Sequence, residues 1–216
     1  MRKKIMFNDK FCLTQAVLDG TKTMTRRIEK PTEMAAGYTM EDVVKIYCEY
    51  SSLLNVTCFS LHDNEKQIGV LRPRYQVGEV VAIAQPYNEI VHESAELNDI
   101  LTDNYGLPCE EYKAGWNNKM FTRASLMLHH IKITDVRMEH LQAISDEDCL
   151  REGIFKKWHA PACRNYFYVQ NVEVRTKDDV FSTPQEAYAA LIDKISGKGT
   201  WLRNPWVVVY EFEKID

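Results

Sequence analysis

Two apolar runs set what this chain can become. Val80-Val-Ala-Ile-Ala84 lies between Gly78 and Pro86, and Trp206-Val-Val-Val-Tyr-Glu-Phe-Glu213 follows the turn pair Asn204-Pro205. Both are far shorter than the ~20 apolar residues of a membrane helix and are bounded by turn formers, so each reads as a buried strand. Lys3–Phe7, Val43–Tyr50, Val56–Leu61 and residues 127–138 add further strand-type segments. Helices are expected at Phe11–Asp19, after the N-cap Ser145 with its Asp146-Glu147-Asp148 start and Gly153 end, and from the capping box Thr183-Pro184-Gln-Glu186 to about Ser196. Residues 86–119 read as an irregular insertion, and 155–182 as a second one, aromatic, with a hairpin around Tyr166–Val174. No linker, repeat or low-complexity tract divides the chain. The expectation is one α+β domain over residues 1–216, its sheet curved or barrel-like.

Charge narrows the function. The formal net charge is −4, which argues against broad, sequence-independent nucleic-acid binding. Residues 1–30 nevertheless carry eight Lys/Arg against three Asp/Glu, so a local basic pocket can exist in an acidic protein. The basic start, Met1-Arg2-Lys3-Lys4, lacks the apolar stretch of a signal peptide, and the chain reads as soluble and cytoplasmic, with no membrane partner. Six scattered cysteines without a C-x-x-C pair read as reduced and structural. His159-Ala-Pro-Ala-Cys163 has a metal-like spacing but no second pair, and His129-His130 point to opposite faces of a strand, so neither a metal nor a cofactor is implied.

The densest chemistry is Gly20-Thr21-Lys22-Thr23-Met24-Thr25-Arg26-Arg27. One lysine among three hydroxyls, with two arginines behind, can hold an anion or activate a nucleophile. It can equally be a solvated helix exit with ordinary surface cations. A phosphate-cradling loop is excluded, because Gln15 stands where the signature needs glycine and the segment follows a helix rather than a strand. Gly20 fits the position just past a helix end. If the exit continues helically, Lys22 and Thr25 share a face.

Several segments together resemble the ASCH domains of the PUA-like superfamily. They are Ala16–Arg27, Tyr75–Ile83, Ile133–Ile154 with Gln142, Asp148 and Glu152, and Gly197–Glu213 with Trp201, Asn204 and Trp206. They occur in the family's order over about half the chain, which is most similar to the long phage and prophage members. The resemblance implies a PUA-like β-barrel that handles RNA or modified nucleosides. Small bacterial members hydrolyse N4-acetylcytidine with a lysine, a threonine and a glutamate, whose positions fall on Lys22, Thr25 and Glu152. Many long members have a glutamate where this chain has Gln85, which alters what would be recognised.

The residues themselves are compatible with that set. Amide hydrolysis needs a nucleophile, a base and an acid for the leaving amine. Burial or the neighbouring Arg26 and Arg27 would depress Lys22 towards a usable base. Thr25 would attack or orient water, and Glu152, at a helix end, would protonate the leaving nitrogen. Thr23, Arg26, Arg27, Gln85, Trp201, Asn204 and Trp206 complete the candidate substrate-binding set. Each has a plainer reading: salt bridges for the arginines, core packing for the tryptophans, a turn for Asn204. Two functions therefore stand side by side, a metal-independent amidohydrolase on a modified nucleoside and a non-catalytic module that binds RNA or a modified base.

Overall fold

A computed structural model describes residues 3–51, 56–159, 164–170 and 180–216. The strands are β1 (Lys4–Ile5), β2 (Met24–Arg27), β3 (Glu33–Met34), β4 (Lys45–Ser51), β5 (Val56–His62), β6 (Gln67–Leu71), β7 (Val80–Ile83), β8 (His130–His140), β9 (Phe155–His159), β10 (Arg164–Tyr168), β11 (Val180–Phe181) and β12 (Trp206–Lys214). The α-helices are α1 (Leu13–Leu18), α2 (Tyr87–Ile90), α3 (Ala95–Leu101), α4 (Lys113–Trp116), α5 (Asp146–Arg151), α6 (Pro184–Ser196) and α7 (Thr200–Arg203). The architecture is α+β.

The two apolar runs lie in one five-stranded mixed sheet of order β1-β7-β8-β12-β2. Only β1 and β7 pair in parallel; the other ladders are antiparallel. Val207 to Tyr210 are buried without alternation, as expected of a strand covered on both faces, and they join Ile5, Val81, Ile83, Ile131 and Ile133 in the main core. Fully burying each such side chain stabilises by about 1.5–3 kcal/mol. Among the described residues the sheet does not close into a barrel: β1 and β2 remain its two edges. Arg27 on β2 reaches towards the other edge, its Nη2 donating to the Met6 carbonyl just past β1 at 2.7 Å. A four-stranded antiparallel sheet (β3-β6-β5-β4) and a three-stranded one (β11-β10-β9) complete the strands.

Local signals hold where caps are explicit. Ser145 Oγ accepts from the Asp148 N–H at 3.1 Å and opens α5. Thr183 and Glu186 form the reciprocal box at the start of α6, which ends at Ser196. Other expectations shift. The helix expected over Phe11–Asp19 is a 3₁₀ turn, Asp9–Phe11, followed by α1, because Cys12 takes a left-handed conformation (φ 53°) between them. The segment after Gly20 is not helical: Met24–Arg27 pair with Glu211–Val208 of β12, so Lys22 and Thr25 do not share a helix face. Residues 86–119 are not irregular, since α2, α3 and α4 gather Tyr87, Ile90, Leu97, Leu101 and Tyr112 into a second apolar cluster with Met127. In the second insertion β10 pairs back with β9 and forward with β11. Residues 171–174 of the expected hairpin lie outside the described residues, as do 160–163 of the His159–Cys163 spacing.

Gly153 is the glycine on which the site depends. Its φ of +101° follows Glu152 directly, and an added Cβ would stand 2.9 Å from Leu13 Cδ2 and 3.7 Å from Lys22 Cδ. Gly153→Ala should therefore cost about 1–2 kcal/mol from the backbone conformation alone, with the contact on Leu13 adding to it, read as a lowered urea midpoint.

Candidate functional site

Lys22 leaves α1 through Gly20 and Thr21 and turns inward, where it is only 2% exposed. Its backbone N–H donates to the Ala16 carbonyl, and Thr23 N–H to the Arg151 carbonyl, which fixes the segment between α1 and the end of α5. The Nζ donates to three oxygens: Glu152 Oε2 at 2.6 Å, the Glu152 carbonyl at 2.7 Å and the Met24 carbonyl at 2.7 Å. All three ammonium protons are thus engaged. The Phe7 ring stands 5.8 Å from the same nitrogen.

Glu152 caps the C-terminal end of α5 and is buried. Its second oxygen, Oε1, accepts from Arg26 Nη1 at 3.2 Å. Arg26 has a wholly buried side chain and spreads over two further carboxylates, Glu139 on β8 (Nη2 to Oε1, 2.6 Å) and Asp148 on α5 (Nη2 to Oδ2, 2.9 Å). A rim of exchangeable pairs continues outward through Arg137, which touches Glu139 and Glu211, and Arg151, which touches Glu211 at 2.6 Å. The salt-bridge reading of Arg26 is therefore the observed one.

Burial holds the Lys22 ammonium below the ordinary lysine value of 10.5. Glu152 pulls the other way, while Arg27 and Arg26 add to the lowering. Burial likewise pushes the Tyr188 hydroxyl well up, with Glu152 as the largest charge acting on it.

These groups form one wall of a cavity of about 800 Å³. Lys22, Thr25, Arg26, Arg27 and Glu152 all line it. Met6, Phe7 and Asn8 follow β1 and Thr25–Arg27 belong to β2, so residues from both open edges of the large sheet contribute. Thr25 is buried and its hydroxyl makes no hydrogen bond among the described residues. Tyr188, on the apolar face of α6, also lines the cavity, and its buried hydroxyl has no hydrogen-bond partner among the described residues. Sequence reasoning passed over Tyr188; the signal was a single tyrosine on the Ala187–Leu191 face of an otherwise apolar helix stripe.

The remaining candidates stand apart from this cavity. Thr23 Oγ1 accepts from Arg151 Nε at 3.1 Å. Gln85 is buried in the neighbourhood of the second apolar cluster, its backbone N–H 3.4 Å from Met127 Sδ and its Oε1 unpartnered. Trp201 packs edge-on to Tyr188 behind the lining. Trp206 stacks on His140 at 3.8 Å and donates to the Val43 carbonyl. Asn204 is a left-handed turn residue whose Oδ1 accepts from the Gln142 N–H at 2.7 Å. None of the insertion over 86–119 lines the cavity, although Lys119, at its end, binds the Phe7 carbonyl and Asp9 and so braces one wall. Among the described residues no group of three or more His, Cys, Asp or Glu could hold a metal ion, and no helix is long and apolar enough to cross a membrane. His129 and His130 are engaged by Glu93 and Asp216. No protein-family model, curated protein or solved structure matches the chain.

Two outcomes check this arrangement. Arg26→Met should destabilise the fold by about 3–5 kcal/mol, because it leaves Glu152, Glu139 and Asp148 without their shared cation; chemical unfolding measures it. Lys22 also predicts a pH dependence. A lysine whose folded value lies below its unfolded one binds its proton more weakly when folded, so between those values the unfolded chain holds the extra proton. Wild-type stability, taken relative to Lys22→Met, should therefore rise with pH through the window that ends near 10.5, as followed by urea unfolding from pH 7 upward.

Proposed function

We propose that this cavity binds a modified nucleoside and hydrolyses an N-acyl bond on it, with Lys22, Thr25 and Glu152 as the reacting groups. The observation that carries the reading is the buried Lys22–Glu152 pair, 2.6 Å apart, on the wall of a cavity roomy enough for a nucleoside and beside an unbonded threonine hydroxyl. The sequence resemblance to ASCH domains supports it and names N4-acetylcytidine as the compound to try. The open five-stranded sheet, with both edges contributing to the cavity, supports a PUA-like barrel left open at the ligand site.

The chemistry follows from the pair. Lys22 Nζ passes a proton to Glu152 Oε2, giving a neutral amine and a carboxylic acid without changing the buried net charge. The amine takes the proton of the Thr25 hydroxyl, or of a water, as that oxygen attacks the acyl carbon. As the C–N bond breaks, Glu152 gives its proton to the departing nitrogen, which restores ammonium and carboxylate. With water as nucleophile the products are the free amine and the acid; with Thr25, an ester forms first and water then cleaves it.

One observation favours the binding module instead. All three Nζ protons of Lys22 are donated to fixed partners, as a purely structural ion pair would have them. Turnover separates the two. Purified protein incubated with N4-acetylcytidine and other N-acylated nucleosides should yield cytidine and acetate on chromatography. Lys22→Met and Glu152→Gln should lose at least about 100-fold in rate at equal folded concentration. Methionine is preferred to alanine because Lys22 is fully buried and truncation would open a void. Retained turnover in Thr25→Val would assign the attack to water. No turnover across the panel would overturn the hydrolase and leave the binding module.

A further inference from the structure

We infer that the mouth of this cavity is a phosphate subsite, so that the ligand is a nucleoside monophosphate rather than a free nucleoside. The inference rests on the nucleoside reading for the ligand's other half, but the phosphate site stands on its own observations.

The cations around the cavity fall into two groups. Lys22 and Arg26 are committed to Glu152, Glu139 and Asp148. Arg27, Lys30 and Arg74 also line the cavity, and none of them forms a salt bridge among the described residues. Arg27 spends Nη2 on the Met6 carbonyl, but its Nε is buried with no hydrogen-bond partner among the described residues. Arg74 lies over the Tyr75 ring at 5.7 Å, with only its backbone tied down. The one carboxylate among them, Glu29, has both oxygens engaged, by the Tyr210 hydroxyl at 2.6 Å and by the Arg74 N–H at 3.0 Å. Three cations against one occupied carboxylate leave a clear positive excess at the mouth of a protein whose net charge is −4.

The polarity also has a direction. Lys22, Glu152 and the unpartnered Tyr188 hydroxyl are buried, whereas Lys30 and Arg74 are exposed. A ligand that fills the cavity thus needs an uncharged polar end for the inner wall and an anionic end for the outer one. Two guanidinium forks and an ammonium suit the three oxygens of a phosphomonoester. A long strand is disfavoured, since it needs several successive phosphate contacts and only this one cluster is uncommitted around the cavity.

Calorimetric titration with inorganic phosphate, cytidine, 5′-CMP and a short cytidine oligonucleotide tests the inference on wild type and on the double variant Lys30→Gln/Arg74→Gln. Both side chains are exposed, so the variant should fold. The expected result is that 5′-CMP binds about tenfold or more tightly than cytidine, and that the double variant removes most of this advantage while leaving cytidine affinity unchanged. The advantage should also shrink as salt rises from low to moderate ionic strength. Equal affinities for cytidine and 5′-CMP with no response to phosphate would overturn the subsite. Tighter binding of the oligonucleotide through the same two residues would overturn the mononucleotide in favour of an RNA backbone. Phosphate binding that the double variant abolishes, with no binding or turnover of any nucleoside, would uphold the subsite and sink the nucleoside reading instead.

Discussion

The ion pair between Lys22 and Glu152, braced by Arg26, is the constraint around which the rest is arranged. A charge carried out of water is costly unless a partner and further hydrogen bonds replace its hydration. Here the replacement is complete: three oxygens surround the lysine, and both carboxylate oxygens of Glu152 face cations. Meeting those demands requires α1 to end before Gly20, α5 to end at its cap Glu152, and Gly153 to leave in a positive-φ conformation that other residues adopt only under strain. It also brings β2 against β12, because Arg26 can reach Glu139 on β8 only across that strand.

The sheet's open side gives this charged interior an outlet. A closed ladder would satisfy the edge of β2 with backbone partners. Instead a side chain, Arg27, spans towards the segment after β1, and a cavity occupies the space beside it. The insertion over 86–119 builds its own apolar cluster next to β7 and does not line that cavity, whose described lining comes mainly from the large sheet and the segments after its edge strands, with α1, α6 and Glu152 at the end of α5.

Much of this was legible in the residues. The apolar runs at Val80 and Trp206 announced central strands, and the Thr183 and Ser145 caps marked two helix starts, because both kinds of signal are local and physical. The cluster Lys22-Thr-Met-Thr25-Arg-Arg27 was visible as chemistry, whereas Glu152 entered only through the family resemblance and the geometry that joins them was not legible. Strand pairing between β2 and β12 is a tertiary fact, and a helical continuation after Gly20 was equally consistent with composition. The tryptophans and Asn204 failed to reach the cavity for a plain reason: their indole rings and amide were already claimed by His140, Tyr188 and Gln142. Tyr188 was hidden because an aromatic on an apolar helix face looks like core until a cavity is found beside it.

The sequence distance within the pair has a consequence for synthesis. Lys22 and Glu152 are 130 positions apart, and β12, the ladder partner of β2, is made later still. At ribosomal rates of about 5–20 residues per second, Lys22 waits roughly 6–26 seconds before its counter-charge exists. Until then the lysine stays hydrated, and β2 has no ladder partner before β12 emerges. The β1-β7-β8 part of the sheet can pair earlier, whereas the edge that carries Lys22 and Arg26 must wait for β12.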